Sequence, residues 1–261
     1  MLQALWAYRG FVLGTVRREF QLRYRNSLLG AAWTVLNPLA MILVYTVVFS
    51  QVMRARLPGT NSTFAYSIYL CAGVLTWGLF SEITIRAQGV FLDNANLLKK
   101  LNFPRLTLPV SVVATACLNF AIVFGLFTGF LVLTGNFPGL AYIALLPVLA
   151  IHVVFAIGLG ISLGVLNVFF RDVGQLYGIV LQFWFWLTPI VYSPSILPAR
   201  LRPLLELNPL THLTTAYQTI LVSGNWPDWE SLGAVAVVAV LLCIFAARLF
   251  RKRSGEMVDE L

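Results

Sequence analysis

A chain of 261 residues with 59% hydrophobic and only 11% charged side chains, and a mean hydropathy of +0.83, lies outside the range of soluble domains, where charged residues make up about 25%. The composition places the chain in a bilayer. Its formal charge of +8 therefore raises the question of which membrane side holds the basic residues, and nucleic acid is not an expected partner.

The stretch MLQALWAYRGFVLGTVRREF interrupts its apolar positions with Arg9, Arg17 and Arg18 and shows no small-residue cleavage site, so it does not read as a secretory signal. Leu2, Leu5, Leu13, Val16 and Phe20 recur at helical spacing, which predicts an amphipathic helix lying in the interface. After RYRNSLLG, a first crossing is expected from about Trp33 to Met53, leaving through RARLPGTNST. A second follows from about Tyr66 to Ile85 and a third from about Thr107 to Leu133. TGNFPG turns the chain into a fourth, about Tyr142 to Phe170, and RDVG into a fifth, about Gln175 to Tyr192. Some 38 residues with Pro194, Pro198, Pro203, Pro209 and Pro227 precede the sixth, about Ser231 to Ala247. These runs approach the roughly 20 apolar residues that a bilayer demands.

The expected fold is thus an all-α integral membrane protein forming one domain over residues 1–261. Residues 1–30 are the interface helix and linker, 33–247 the six crossings and 248–261 a charged tail, RLFRKRSGEMVDEL. Six crossings return both termini to one side. Arg9, Arg17, Arg18, Arg23, Arg25, Arg86, Lys99, Lys100, Arg105, Arg171, Arg248, Arg251, Lys252 and Arg253 then share that side, against Arg54, Arg56, Arg200 and Arg202 on the other. Fourteen against four puts both termini in the cytoplasm.

Chemistry-bearing motifs are sparse. Cys71, Cys117 and Cys243 fall singly in separate apolar runs and read as reduced packing residues, and no metal site is expected. The chain has no G-x-x-x-x-G-K-[ST] or H-E-x-x-H pattern, so energy for uphill transport must come from a partner or an ion gradient. Ion coupling needs ionisable groups near the midplane. His152 alone is placed there and reads as a packing residue; Glu82 and Arg86 read as a helix-face ion pair, and Asp172 sits at a helix end. Gly125 with Gly129, and Gly160 with Gly164, make small faces for close helix packing.

Two stretches stand out. FLDNANLLKKLNF reads as a short amphipathic helix, beginning near Asp93 or Asn94 and ending before Pro104, that either docks a partner or rests on anionic lipid. In QFWFWLTPIVYSP, residues 182 to 194, Phe183, Trp184, Phe185 and Trp186 project in four directions around a helix. Most of these rings anchor and pack the fifth helix, while one or two remain candidates for stacking against sugar rings passing by.

The run RYRNSLLGAAWTVLNPLAMILVYTVVFS, with Arg23, Tyr24, Ser27, Leu29, Gly30, Trp33 and Pro38, resembles the opening segment of the polysaccharide-export permeases of the ATP-binding-cassette superfamily, the O-antigen and teichoic-acid exporters. YSIYLCAGVLTWGLFSE, NANLLKKLNFPRLTLPV, VFFRDVGQL, FWLTPIVYSPSILP and LNPLTHL follow in the family's order. The resemblance implies a homodimeric permease of the bacterial inner membrane, joined from the cytoplasm by two separate nucleotide-binding subunits that bind ATP and Mg, with no cofactor in this chain. By position, Asn94, Leu97, Leu98, Lys99, Lys100 and Phe103 would form the helix that couples to the ATPase. Short re-entrant or surface helices would lie between the fifth and sixth crossings, turned by Pro198, Asn208 and Pro209.

Tyr177, Phe183, Trp184, Trp186 and Tyr192 would lie along or near the glycan path, and Arg25, Arg86 and Arg105 are possible contacts for a lipid diphosphate. The expected activity is export of O antigen on undecaprenyl diphosphate. Teichoic acid or capsular polysaccharide, or a drug or small lipid, are alternative cargoes. A membrane-embedded transferase would need clustered acids or histidines, and His212, Glu206 and Asp228 look too scattered for that.

Overall fold

Where proline falls decides which apolar runs become long helices. The computed structural model describes residues 9–23, 32–52, 57, 64–100, 105–196, 198, 200 and 202–260. Its described residues are helical with no strand, in the order α1 (Arg9–Arg23), α2 (Trp33–Thr46, continued by a π-helical stretch Val47–Val52), α3 (Ala65–Asp93), α4 (Ala95–Lys100), α5 (Thr107–Leu133), α6 (Leu145–Phe169, preceded by a 3-10 turn Gly139–Ala144) and α7 (Asp172–Leu187). After a 3-10 turn Pro194–Ile196 come α8 (Arg202–Glu206), α9 (Pro209–Gln218, continued by a π-helical stretch Thr219–Ser223), α10 (Trp229–Arg253) and α11 (Glu256–Glu260).

Helices α3 and α10 contain no proline, and those of α5 and α6, Pro109 and Pro147, sit in the first turn, where the missing N–H has no helical partner to lose. These four, counting the turn ahead of α6, are long and apolar enough to cross a membrane. Pro38 lies inside α2, and Pro189 lies just beyond α7. Thr188 takes extended angles (φ −102°, ψ 135°) ahead of that proline, because the ring clashes with a helical residue before it. The fifth apolar run therefore ends as a helix at Leu187, short of the expected Tyr192.

The second expected crossing, by contrast, runs on to Asp93 as one helix. Residues 86–93 hold no proline, and Ala87, Val90 and Phe91 are buried against Val165 and Val168 of α6. Of the short amphipathic helix expected at FLDNANLLKKLNF, the residues up to Asp93 belong to α3 and Ala95–Lys100 form α4, while residues 101–103 lie outside the described residues.

The core forms around α6, which packs closely on α3 and on α10. Its glycines permit this. A Cβ at Gly158 would lie 2.9 Å from the Cys243 backbone nitrogen of α10, one at Gly160 2.7 Å from Ala87 Cβ, and one at Gly164 2.6 Å from the Ala87 carbonyl oxygen. Gly125 and Gly129 have no such neighbours within 4 Å, so of the two small faces only that on α6 packs helices within the protomer. Phe80, Phe155, Val148, Leu213 and Ile220 fill the centre with His152, whose ring stacks on Phe80 at 6.2 Å.

All long helices end in two layers. Asp93, Thr107, Phe169 and Arg253 mark one end and Ala65, Leu133, Gly139 and Trp229 the other. Arg105, Arg171, Arg251, Lys252 and Arg253 gather at the first, called here the basic end.

Candidate functional site

The aromatic row of α7 divides by face. Phe183 and Trp186 are 67% and 64% exposed and continue an exposed apolar stripe through Leu176, Ile179, Val180 and Leu187. Trp184 and Phe185 turn inward: Trp184 meets Phe80 edge-on at 5.4 Å and Phe185 meets Trp77 at 5.5 Å. Tyr177 is buried in the core, and the Tyr192 hydroxyl donates to the Trp186 carbonyl at 3.0 Å. The structure thus brings Phe183, Trp186 and Tyr192 to an accessible region and draws Tyr177 and Trp184 into the protomer, because a 100° step per residue sends neighbouring rings to different sides. Replacing Trp184 with alanine should lower the amount of folded protein in membranes, whereas Trp186→Ala should leave it unchanged; immunoblots of membranes check both.

Beyond Leu187 the chain leaves helical geometry among apolar neighbours, so its carbonyls must find donors. Tyr66 donates its hydroxyl to the Val191 carbonyl (2.6 Å), and the Tyr69 hydroxyl lies 3.0 Å from the Pro189 carbonyl and 2.8 Å from that of Tyr192. Gln218 Nε2 also donates to Pro189 (3.0 Å). Residues from α3 and α9, over a hundred positions away for the tyrosines, hold this segment open.

Asn208 ties the segment from the other side. Its Oδ1 accepts from the Trp184 indole (2.9 Å) and from the Leu210 N–H (3.0 Å), capping α9 ahead of Pro209; its Nδ2 donates to the Thr188 hydroxyl (3.1 Å). Trp184 packs on Phe80, and Ile190 lies against Gly73. Asn208 therefore sits level with residues 73 to 80 of α3, on the order of 12–22 Å below Ala65 at about 1.5 Å per residue. From there α9 climbs back until Gly224 (φ 63°) meets Pro138 in the turn between α5 and α6. The described residues between 193 and 224 thus trace a hairpin that dips from the opposite end toward the middle and returns.

This hairpin gathers what looked scattered in sequence. Glu206, His212 and Asp228 line one cavity of about 380 Å³ with Thr211, Thr215, Thr219 and Ser231. The spacing of the threonines, four residues each, is the only sequence sign of it.

At the basic end Asn94 joins α3 to α4: its Nδ2 donates to the Val90 carbonyl (2.8 Å) and its own carbonyl accepts from the N–H groups of Leu97 and Leu98 (3.0 Å each). Leu98 is buried among Val112, Phe250 and Met257, holding α4 on the body, while Lys99 faces outward. Arg105 donates to the Ser254 carbonyl, linking this region to the C-terminal helices. Arg25 and Phe103 lie outside the described residues.

Arg86 is committed to carboxylates on two helices. It pairs with Glu82 (3.2 Å) on its own helix, as expected from the spacing, and with Glu19 of α1 (2.5 Å). Glu82 also accepts from Asn119 Nδ2 (2.7 Å), and Glu19 from the Thr115 hydroxyl (3.1 Å). Two carboxylates and two polar donors thus surround one guanidinium, which fastens α1 to α3 and α5. No three His, Cys, Asp or Glu side chains converge as a metal site among the described residues.

The family model for ABC-2 type transporters matches residues 12–222. The chain belongs to the ABC-2 type transporter family. Similar members include an O-antigen export system permease protein of Myxococcus xanthus, 33% identical over 263 residues and covering 100% of this chain and 99% of its own. An O-antigen export system permease protein of Klebsiella pneumoniae is 28% identical, with 90% and 88% of the two chains covered. A polysialic acid transport protein of Escherichia coli is 21% identical, covering 92% of each. As a member of the ABC-2 type family the chain is a multi-pass membrane transport component.

Proposed function

We propose that the chain is the membrane permease of an ATP-driven exporter that moves a lipid-linked polysaccharide, with O antigen on undecaprenyl diphosphate as its cargo. The observation that carries this reading is the 33% identity, spanning both chains end to end, to an O-antigen export permease. The similarity to a polysialic acid transport protein over 92% of the chain favours capsular polysaccharide as the second choice of cargo.

In this reading two permeases pair in the bacterial inner membrane, each crossing six times once α2 and α7 with its irregular extension are counted beside the four long helices. The basic end faces the cytoplasm, with both termini, as the positive-inside rule requires, and the hairpin of residues 193–224 is re-entrant from the outer side. Two ATP-binding subunits supply ATP and Mg chemistry and dock on α4 and the residues after it, Asn94 to Phe103. Phe183, Trp186 and Tyr192 are exposed or half-exposed where a sugar chain would pass, with Trp184 and Tyr177 supporting them from behind. Of the arginines proposed for the lipid diphosphate, Arg105 stands at the basic end, bonded to the Ser254 carbonyl, whereas Arg86 is neutralised by Glu19 and Glu82.

Purifying the tagged chain in mild detergent and identifying its companions by mass spectrometry tests the assignment. A stoichiometric ATP-binding subunit is the expected result; a dimeric permease without one would overturn the energy source. Lys99→Glu combined with Lys100→Glu should further uncouple ATP hydrolysis from export by repelling the docking surface, and unchanged coupling in that variant would return the helix to a lipid-surface role.

A further inference from the structure

The hairpin's threonine-lined cavity lies outside the aromatic row and the docking helix. Thr211, Thr215 and Thr219 stack along one face of α9 and its π-helical continuation at four-residue spacing, with His212 beside them. Below them is Glu206, and above them Asp228 and Ser231 at the start of α10.

The polar atoms of this cavity are arranged as a set of donors and acceptors. His212 Nε2 lies 2.7 Å from the Glu206 carbonyl; a carbonyl only accepts, so Nε2 donates there and the rest of the ring edge is left to the cavity. Asp228 caps α10, accepting from the Glu230 N–H (3.1 Å) and the Ser231 hydroxyl (2.5 Å). That hydroxyl, with the neighbouring N–H groups, holds the Asp228 carboxyl below its usual range, so it stands ionised as an acceptor.

Thr211 is the telling residue. It is only 8% exposed, and its Oγ1 has no hydrogen-bond partner among the described residues. A buried hydroxyl left unpaired costs about 1–3 kcal/mol, and this one lies in the wall of the cavity. The cavity's volume falls within the roughly 300–1,000 Å³ of small-ligand sites. Moreover, a face of threonines, histidine and glutamate at the depth reached by this hairpin is costly against lipid and must border water or a polar chain.

We infer that this cavity is a sugar subsite, in which Thr211, Thr215, Thr219, His212, Glu206 and Asp228 exchange hydrogen bonds with the hydroxyl groups of one or two units of the exported glycan as it passes the outer half of the permease. The inference rests on the exporter reading above. Neutral hydroxyls outnumber the carboxylates, which suits a polymer that must be held weakly and let go.

Two measurements in cells making the glycan and the ATP-binding subunit decide it. A photoreactive residue at position 215 should give an adduct carrying the glycan, detected with a glycan-specific antibody, while one at Val238, on an exposed apolar face of α10, should not. Thr211→Val with Thr215→Val, substitutions that remove hydroxyls but keep shape, should leave permease abundance unchanged and slow export about fivefold to tenfold, the effect of one or two lost hydrogen bonds. Adducts to phospholipid or to a second permease copy at position 215, or export at the parental rate in the double variant, would overturn the subsite while leaving the exporter reading intact. If the unsubstituted permease exports no glycan, both fall together.

Discussion

Gly164→Val should abolish accumulation of the folded permease, while Gly125→Ala leaves it unchanged. Gly164 sits where α6 touches α3 so closely that a Cβ would stand 2.6 Å from the Ala87 carbonyl oxygen and 3.3 Å from the Phe91 ring. The ring can move but the carbonyl belongs to helix backbone, so a side chain here separates two helices along their length. Overpacking a core costs roughly 1–3 kcal/mol when side chains yield, and backbone that cannot yield puts this change at the upper end or beyond. Against a total stability of about 5–15 kcal/mol, the burial of Ala87, Phe91 and Val165 cannot compensate. Gly125, with nothing within 4 Å of its Cβ, takes an extra methyl without strain. The check is the yield of monodisperse protein after detergent extraction; equal yields for the two variants would show that α3 and α6 do not meet as described.

Asn208→Ala should have the next largest effect, destabilising the hairpin by about 2–4 kcal/mol and stopping export. One side chain caps α9, holds the Trp184 indole and reaches Thr188. Removing it forfeits a cap worth about 0.5–2 kcal/mol and orphans an indole N–H in apolar surroundings at about 1–3 kcal/mol. Thermal unfolding in detergent measures the loss. A double-mutant cycle with Trp184→Phe isolates the shared bond: the phenyl ring keeps most of the packing on Phe80 but has no N–H to orphan, so the two changes together should cost less than their sum. Strict additivity would mean that the indole and the amide do not meet.

Much of the fold was legible because membrane helices depend on local quantities. Apolar length, proline position and charge near the ends set where α3, α5, α6 and α10 run, and the long apolar helix expected from Thr107 to Leu133 spans those residues. The Glu82 and Arg86 pair was readable from a spacing of four; that Glu19 completes it was not, since α1 reaches α3 only through the fold. Likewise, of two similar glycine pairs only that of Gly160 and Gly164 turned out to sit between helices of the protomer. A glycine pair states that close approach is permitted, never by which neighbour.

The chain order alone determined that this protein lives in a membrane and where its four long apolar helices run; that the fifth run stops as a helix at Leu187, ahead of Pro189, came from the fold. Tertiary structure decided what becomes of the backbone that Pro189 releases. Its carbonyls are met by Tyr66, Tyr69 and Gln218, its threonine by Asn208, and the resulting hairpin brings Glu206, His212 and Asp228 into one polar cavity. The physical reason is the demand of an apolar medium that every polar group find a partner: local sequence shows where a partner is needed, and only the packed chain shows which distant residue supplies it.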